Sequence, residues 1–101
     1  MSDKPWAVKD PDEVKDYGLG WTDALAGQTE DDDDDVLASS EWIVTPDTIT
    51  VDSDSFDAAS ATTTIWFSGG VIGVTYSCTN RVTTTGGRTY DWTKKLKIKS
   101  K

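Results

Sequence analysis

The side chains that most often carry out chemistry in proteins are scarce in this sequence. It has no histidine, the residue that most often serves as a general base or as a ligand of transition metals. Its only cysteine, Cys78, cannot form an internal disulfide, and we expect it to be a small buried apolar residue. Glu41 and Asp91 are expected to be solvated charges on strand faces rather than an acid–base pair. We therefore predict no catalytic residue and no enzymatic activity.

Five consecutive aspartates, Asp31–Asp35, form the most concentrated charge in the chain. A calcium loop needs spaced acidic side chains, usually with a glycine that lets the backbone wrap around the ion. The unbroken run lacks both features, so we expect a solvated, mobile loop, with an ion site as the alternative. Because such a loop has no apolar surface to bury, we expect it to be dispensable for folding. We predict no metal and no cofactor.

The two halves of the chain carry opposite charge, which indicates its class of partner. Residues 1–60 contain 17 acidic residues and 3 lysines, whereas residues 61–101 contain Asp91 and 7 basic residues. The acidic first half of a chain with net charge −8 argues against duplex nucleic acid as the main partner, because phosphates would be repelled, and we predict no nucleic-acid partner. No apolar stretch is long enough to span a membrane, and the first residues lack the apolar run of a secretion signal. Opposite charges on the two halves favour protein partners, including copies of the same chain arranged head to tail. The alternative is that the charge serves only to keep the protein soluble.

The residues that we expect to contact a protein partner lie at both ends of the chain. An N-terminal arm, residues 1–15, has too few apolar side chains to fold alone, so it must lie on a neighbour or on the flank of its own domain. Trp6 can act there as an aromatic anchor. The basic end, Lys94–Lys101, would meet an acidic surface. The predicted partner-binding residues are Trp6, Val8, Lys9, Asp10, Lys94, Lys95 and Lys97.

The elements that position these residues are predicted to be short strands. The stretch Thr62–Thr85 is rich in β-branched and aromatic residues and is interrupted by glycines, which predicts a hairpin around which the chain is organised. Its second arm alternates, so that one set of side chains should face a core and the other should face water. The predicted inward set is Val74, Tyr76, Cys78, Asn80 and Val82.

Further strands are predicted on both sides of this hairpin. Tyr17, Leu19 and Trp21 share one face of a first strand. Val36–Thr45 and Thr48–Val51 form the next two, and Asp52–Ser60 is predicted to be a polar loop in which Phe56 plugs the core edge. The last strand is predicted at Thr89–Ile98, where one face holds Tyr90, Trp92, Lys94, Leu96 and Ile98.

This pattern of six to seven short strands without a convincing helix predicts an all-β fold, a small antiparallel β-sandwich. Tyr76, two residues before Cys78, resembles the tyrosine corner of immunoglobulin-like domains, and Trp42 or Trp66 would be the core tryptophan. We thus expect an extended N-terminal arm at 1–15, an immunoglobulin-like β-sandwich at 16–98 and a basic tail at 99–101.

Several short stretches together resemble one family of small proteins from tailed bacteriophages and prophages, the fibre–tail adaptors. The resemblance covers most of residues 9–98, although the aspartate-extended loop and the lysine-rich end depart from it. The stretches are Lys9–Val14, Asp16–Tyr17 with Trp21, Leu25–Gly27, Ser40–Trp42, Ile65–Gly70, Gly73–Tyr76 and Thr79–Arg88.

The resemblance implies a non-enzymatic structural protein of the virion, made in the host cytoplasm. It would be an adaptor or decorating subunit that joins other virion proteins of the tail, connector, fibre or capsid, in multiple copies within a symmetric assembly. The alternative is an immunoglobulin-like module that binds carbohydrate or the host surface, with Trp6 and Trp92 stacking on sugars. The ordinary explanation for Trp6 is that it anchors the arm, and the ordinary explanation for Trp92 is that it packs in the core.

Overall fold

Six strands and one short helix organise residues 4–101, the part of the chain that the computed structural model describes. The helix α1 covers Thr22–Leu25. The strands are β1 (Lys15–Gly20), β2 (Leu37–Thr45), β3 (Ile49–Asp57), β4 (Thr62–Gly69), β5 (Thr75–Thr84) and β6 (Thr89–Lys97). They form two antiparallel three-stranded sheets, with strand orders β1–β4–β3 and β2–β5–β6. The predicted all-β sandwich is confirmed.

The strand order is that of an immunoglobulin-like domain. Such domains place strands A, B, E and D in one sheet and C, F and G in the other. When β1 is counted as strand B, the two sheets become B–E–D and C–F–G. The arm precedes β1 and runs beside β6, where Lys9 and Ile98 form a parallel bridge. The topology therefore supports the immunoglobulin-like assignment independently of any sequence pattern.

The prediction of a hairpin at Thr62–Thr85 is wrong, because β4 and β5 belong to different sheets. Gly69 at the end of β4 and Gly70 and Gly73 in the connection that follows are all at positive φ, and this connection carries the chain across the sandwich. Alternation in a sequence shows which face of a strand is buried, but it does not show which strand lies next to it. Both strands were therefore recognised, and only their pairing was misassigned.

The third strand is also longer than predicted. It continues from Ile49 through Asp57 and pairs with β4 on both sides of an irregularity at Asp52, whereas the sequence predicts a loop at Asp52–Ser60. All residues of β3 after Ile49 are exposed, so this strand has no alternation of buried and exposed side chains from which it could be predicted. Phe56 is 40% exposed and does not plug the core edge.

The core lies between the sheets and contains the predicted inward face of β5. Tyr76, Cys78, Asn80 and Val82 are fully buried, and burial raises the pKa of the Cys78 thiol to about 12. The fully buried tryptophan is Trp21. Trp42 is only partly buried, although it packs against both halves of the core. Trp66 is 41% exposed, so its assignment as a core residue is wrong.

A buried polar network joins the two sheets in a domain that has no disulfide. The Oδ1 atom of Asn80 on β5 accepts hydrogen bonds from Trp21 Nε1 at 3.0 Å and from Thr63 Oγ1 on β4 at 2.7 Å. The Nδ2 atom of Asn80 donates to Ser40 Oγ and to the Glu41 carbonyl on β2. Because the side chain is satisfied on both sides, its burial is compatible with stability.

The predicted tyrosine corner is present at the start of β5. The backbone N–H of Val71 donates to the Tyr76 hydroxyl at 3.0 Å. The same hydroxyl shares a hydrogen bond of 2.7 Å with Thr48 Oγ1. Tyr76 thus ties the crossing connection and the residue before β3 to the core.

The expectation that the whole aspartate run is solvated is wrong for Asp35. Its carboxylate is buried against the β5–β6 connection, where it accepts hydrogen bonds from Thr84 Oγ1 at 2.6 Å and from Arg88 Nη1 at 3.0 Å. It also accepts from the backbone N–H groups of Val36 and Gly86. These donors, with the Thr84 hydroxyl foremost, lower the pKa of Asp35 to about 2.

Candidate protein-docking groove

The part of the arm that the structure describes, from residue 4 onward, packs on the flank of its own domain, one of the two positions that the sequence predicts. The Trp6 ring stacks on the Tyr17 ring with centroids 4.8 Å apart, and it lies 5.8 Å from the Trp42 ring. The N–H of Trp6 donates to the Lys95 carbonyl, and the Tyr17 hydroxyl donates to the Ala7 carbonyl. Together these contacts hold the arm beside β6.

Two of the predicted partner-binding lysines serve this anchoring. Lys9 is fully buried, and its Nζ donates to the carbonyls of Gly69 at 2.8 Å and Asp10 at 2.9 Å. Burial lowers the pKa of Lys9, and the acidic residues around it, Glu13 foremost, oppose that shift. The Nζ of Lys94 donates to the Lys4 carbonyl at 2.7 Å. Both ammonium groups therefore point at the backbone of their own chain.

Asp10 ties the arm to the basic tail. Its Oδ2 accepts the backbone N–H of Lys101 at 2.8 Å, and its Oδ1 accepts the N–H of Asp12 within a tight turn. These hydrogen bonds, led by that from Lys101, lower the pKa of Asp10. Lys101 also pairs with Glu13 at 2.9 Å. The two ends of the described chain are thus joined at one place.

The remaining four predicted residues come together around a groove on the outer face of the β2–β5–β6 sheet. The groove has a volume of about 360 Å³. We call it the arm–β6 groove; it is lined by Pro5, Trp6, Val8, Thr75, Lys95 and Lys97. Pro5, Trp6 and Val8 give it apolar walls, while Lys95 and Lys97 place two positive charges beside them. The sequence pattern did not identify Pro5 or Thr75, because the register between the arm and β6 is set only in the folded domain.

This arrangement suits recognition of a protein surface. A pre-ordered apolar groove can receive an aromatic or aliphatic side chain of a partner, and the two lysines can pair with acidic residues around it.

Among residues 4–101, no group of acidic and cysteine side chains has an arrangement that could hold a metal ion. No helix of this described part is long and apolar enough to cross a membrane.

An immunoglobulin-like sandwich with an arm docked on its last strand is the class of protein that the fold defines. The family model of the podophage GP4 fiber-tail adaptor protein gp77 matches residues 9–97. Because the match covers most of the chain, the protein belongs to this family, and the predicted resemblance is confirmed. It is a structural protein of a bacteriophage and a component of the virion. A search of curated proteins finds no match.

Proposed function

We propose that the protein is a non-enzymatic adaptor that joins other virion proteins in the fibre–tail region, and that the arm–β6 groove is its principal contact. The observation that carries this proposal is the ordered groove, in which Trp6 and Val8 lie beside Lys95 and Lys97. The family of the chain supports the adaptor role. The partner would present an apolar side chain with acidic neighbours.

The order of the arm strengthens the proposal energetically. A disordered arm would lose conformational entropy on binding, which lowers affinity. Here Lys9 and Trp6 already fix the arm through Gly69 and Tyr17. A partner would therefore meet a largely formed surface. The charged contacts would act mainly on orientation and association rate.

The test is binding of the purified protein to purified tail and fibre proteins of the same phage. We expect Val8→Asp to reduce binding at least about tenfold, since a charge in an apolar contact must be desolvated. The matched control is Val14→Asp, because Val14 is more exposed than Val8 and lies outside the groove. Equal binding by both variants and the wild type would exclude the groove as the contact.

The alternative of sugar recognition by Trp6 and Trp92 stays a prediction. The ring of Trp6 stacks on Tyr17, and the ring of Trp92 packs edge-on against Trp21 at 5.4 Å between centroids. These contacts occupy ring surface that a sugar would need. The structure therefore offers no specific observation that favours this alternative over the adaptor role.

A further inference from the structure

The outer face of the β1–β4–β3 sheet carries an exposed aromatic side chain that the proposed contact does not use. Trp66 lies on the central strand and is 41% exposed. Its register neighbours are Asp16 on β1 and Ser53 on β3. Two pairs further along, on the same face, Gly18 lies opposite Thr64. These neighbours are small or short and mostly polar, and the Trp66 side chain is the large exposed group among them.

This face is acidic. Asp16 is directly opposite Trp66, and the Asp52 carboxylate accepts a hydrogen bond of 3.0 Å from Ser68, two residues beyond Trp66 on the same face. The only basic residue in these three strands is Lys15, whose Nζ lies 5.3 Å from the centroid of the Tyr17 ring. We call the surface formed by Asp16, Asp52 and Trp66 the Trp66 face.

The Trp66 face and the arm–β6 groove are complementary in charge, and each has an apolar part. One presents a single aromatic ring between carboxylates, and the other is an apolar groove beside Lys95 and Lys97. The groove volume of about 360 Å³ lies at the lower end of the range of roughly 300–1,000 Å³ for small-ligand pockets, so it suits one large side chain.

We propose that the Trp66 face of one copy docks into the arm–β6 groove of the next copy. The inference rests on the proposed function, because it names an occupant of the same groove; in an open chain of copies, the groove of the terminal copy stays free for a tail or fibre protein. The two surfaces lie on the outer faces of opposite sheets. The contact is therefore heterologous, and repetition generates a ring or an open chain of copies. Such an assembly would present many identical adaptor domains around a tail.

The test is sedimentation velocity of the purified full chain at low salt. Wild type should self-associate with rising concentration, and added salt should weaken this because the flanking contacts are ionic. Trp66→Ser and the double variant Lys95→Glu/Lys97→Glu should each be monomeric. Mixed together they should form dimers only, because the first variant keeps an intact groove and the second keeps an intact Trp66 face.

Matched controls distinguish this contact from nonspecific association. Phe56 is as exposed as Trp66 but lies outside the Trp66 face, so Phe56→Ser should associate like wild type. The variant Lys99→Glu reverses one exposed charge outside the groove and should also associate. A wild type that stays monomeric, a mixture without dimers, or a Phe56→Ser variant that is also monomeric would overturn the inference.

Binding to virion proteins distinguishes this inference from the proposed function. If wild type stays monomeric yet binds purified tail or fibre proteins through the groove, the self-docking inference fails and the adaptor proposal stands. If wild type forms a chain that depends on Trp66 but binds none of these proteins, the inference stands and the adaptor proposal fails.

Discussion

At the scale of single residues, Asp35 shows how one carboxylate can hold a connection between strands. It is the last of five aspartates, yet it alone is buried among the donors Thr84, Arg88 and Gly86. Its neighbours Asp31 to Asp34 are exposed. The run therefore contains one buried structural residue, Asp35, and four residues that are exposed to solvent.

We expect Asp35→Asn to lower the melting temperature by at least about 4 °C at neutral pH, because a carboxylate that pairs with Arg88 is replaced by a neutral amide. Asp31→Asn, in the exposed part of the same run, should leave the melting temperature nearly unchanged. Thermal unfolding followed by circular dichroism measures both. Equal melting temperatures for the two variants would show that Asp35 has no special role.

The stabilisation from Asp35 should depend on pH in a defined window. Its pKa in the folded state is about 2, below its ordinary value of 3.8. The stabilising effect is therefore fully present above pH 3.8 and is lost as the pH falls towards 2. Stability of wild type and Asp35→Asn, measured by urea unfolding across this range, should converge as the pH falls. Parallel curves would contradict this account.

Tyr76 is the second residue whose polar atom has a specific task. Tyr76→Phe leaves the Val71 N–H and the Thr48 hydroxyl without this partner, and we expect a loss of about 0.5–1.5 kcal/mol. Urea unfolding measures the change, with Tyr90→Phe as a control on a half-buried tyrosine of β6. An unchanged free energy of unfolding for Tyr76→Phe would remove the tyrosine corner from the explanation of stability.

At the scale of elements, the arm behaves as part of the sandwich. Its parallel bridge to the end of the β2–β5–β6 sheet is reinforced by Lys9, and Trp6 covers Tyr17 and Trp42. Removing the arm would therefore expose core residues as well as remove a contact. A truncation cannot separate binding from folding, whereas single substitutions in the groove can.

We expect Trp6→Ala to lower the free energy of unfolding by about 1–2 kcal/mol, because apolar area and an aromatic stacking contact are lost. Val8→Asp should change stability far less, since Val8 lies at the surface of the groove. Chemical denaturation of both variants makes the comparison. If Trp6→Ala is as stable as wild type, the arm is not held by its aromatic contact.

The sequence predicted which face of a strand is buried better than it predicted which strands pair with each other. Alternation identified the inward side of β5 through Tyr76 and Val82 because burial acts locally on every second residue. It did not reveal that β4 and β5 separate into different sheets, since pairing depends on the path of the intervening loop. It also missed the second half of β3, whose residues are all exposed. Asp35 was missed because only the folded domain brings Arg88 and Thr84 to it.

The residues of the candidate site were likewise only partly predicted, because the sequence does not show which residues the fold brings together. Trp6, Val8, Lys95 and Lys97 were expected to bind a partner from their composition alone, and the fold brings them together in one groove. Their role as a contact stays a prediction. Lys9 and Lys94 were grouped with them by charge, but the structure directs their ammonium groups to backbone carbonyls.

At the scale of the whole molecule, the domain is elongated, with extents of 49 × 23 × 20 Å, and its opposite outer faces differ in character. One carries Trp66 with carboxylates, and the other carries the arm–β6 groove with lysines. Such a domain can contact one neighbour through each face, which is what an adaptor requires.

The measurement that tests the adaptor proposal most directly is complementation of a phage that lacks this protein, with fibres counted on purified particles by electron microscopy. We predict that wild type and the control Lys99→Glu, at an exposed lysine outside the groove, restore fibre-bearing particles. The double variant Lys95→Glu/Lys97→Glu should fold, shown by an unchanged melting temperature, yet leave particles without fibres. Particles with a full set of fibres from this folded variant would contradict the proposal that the groove joins the virion proteins.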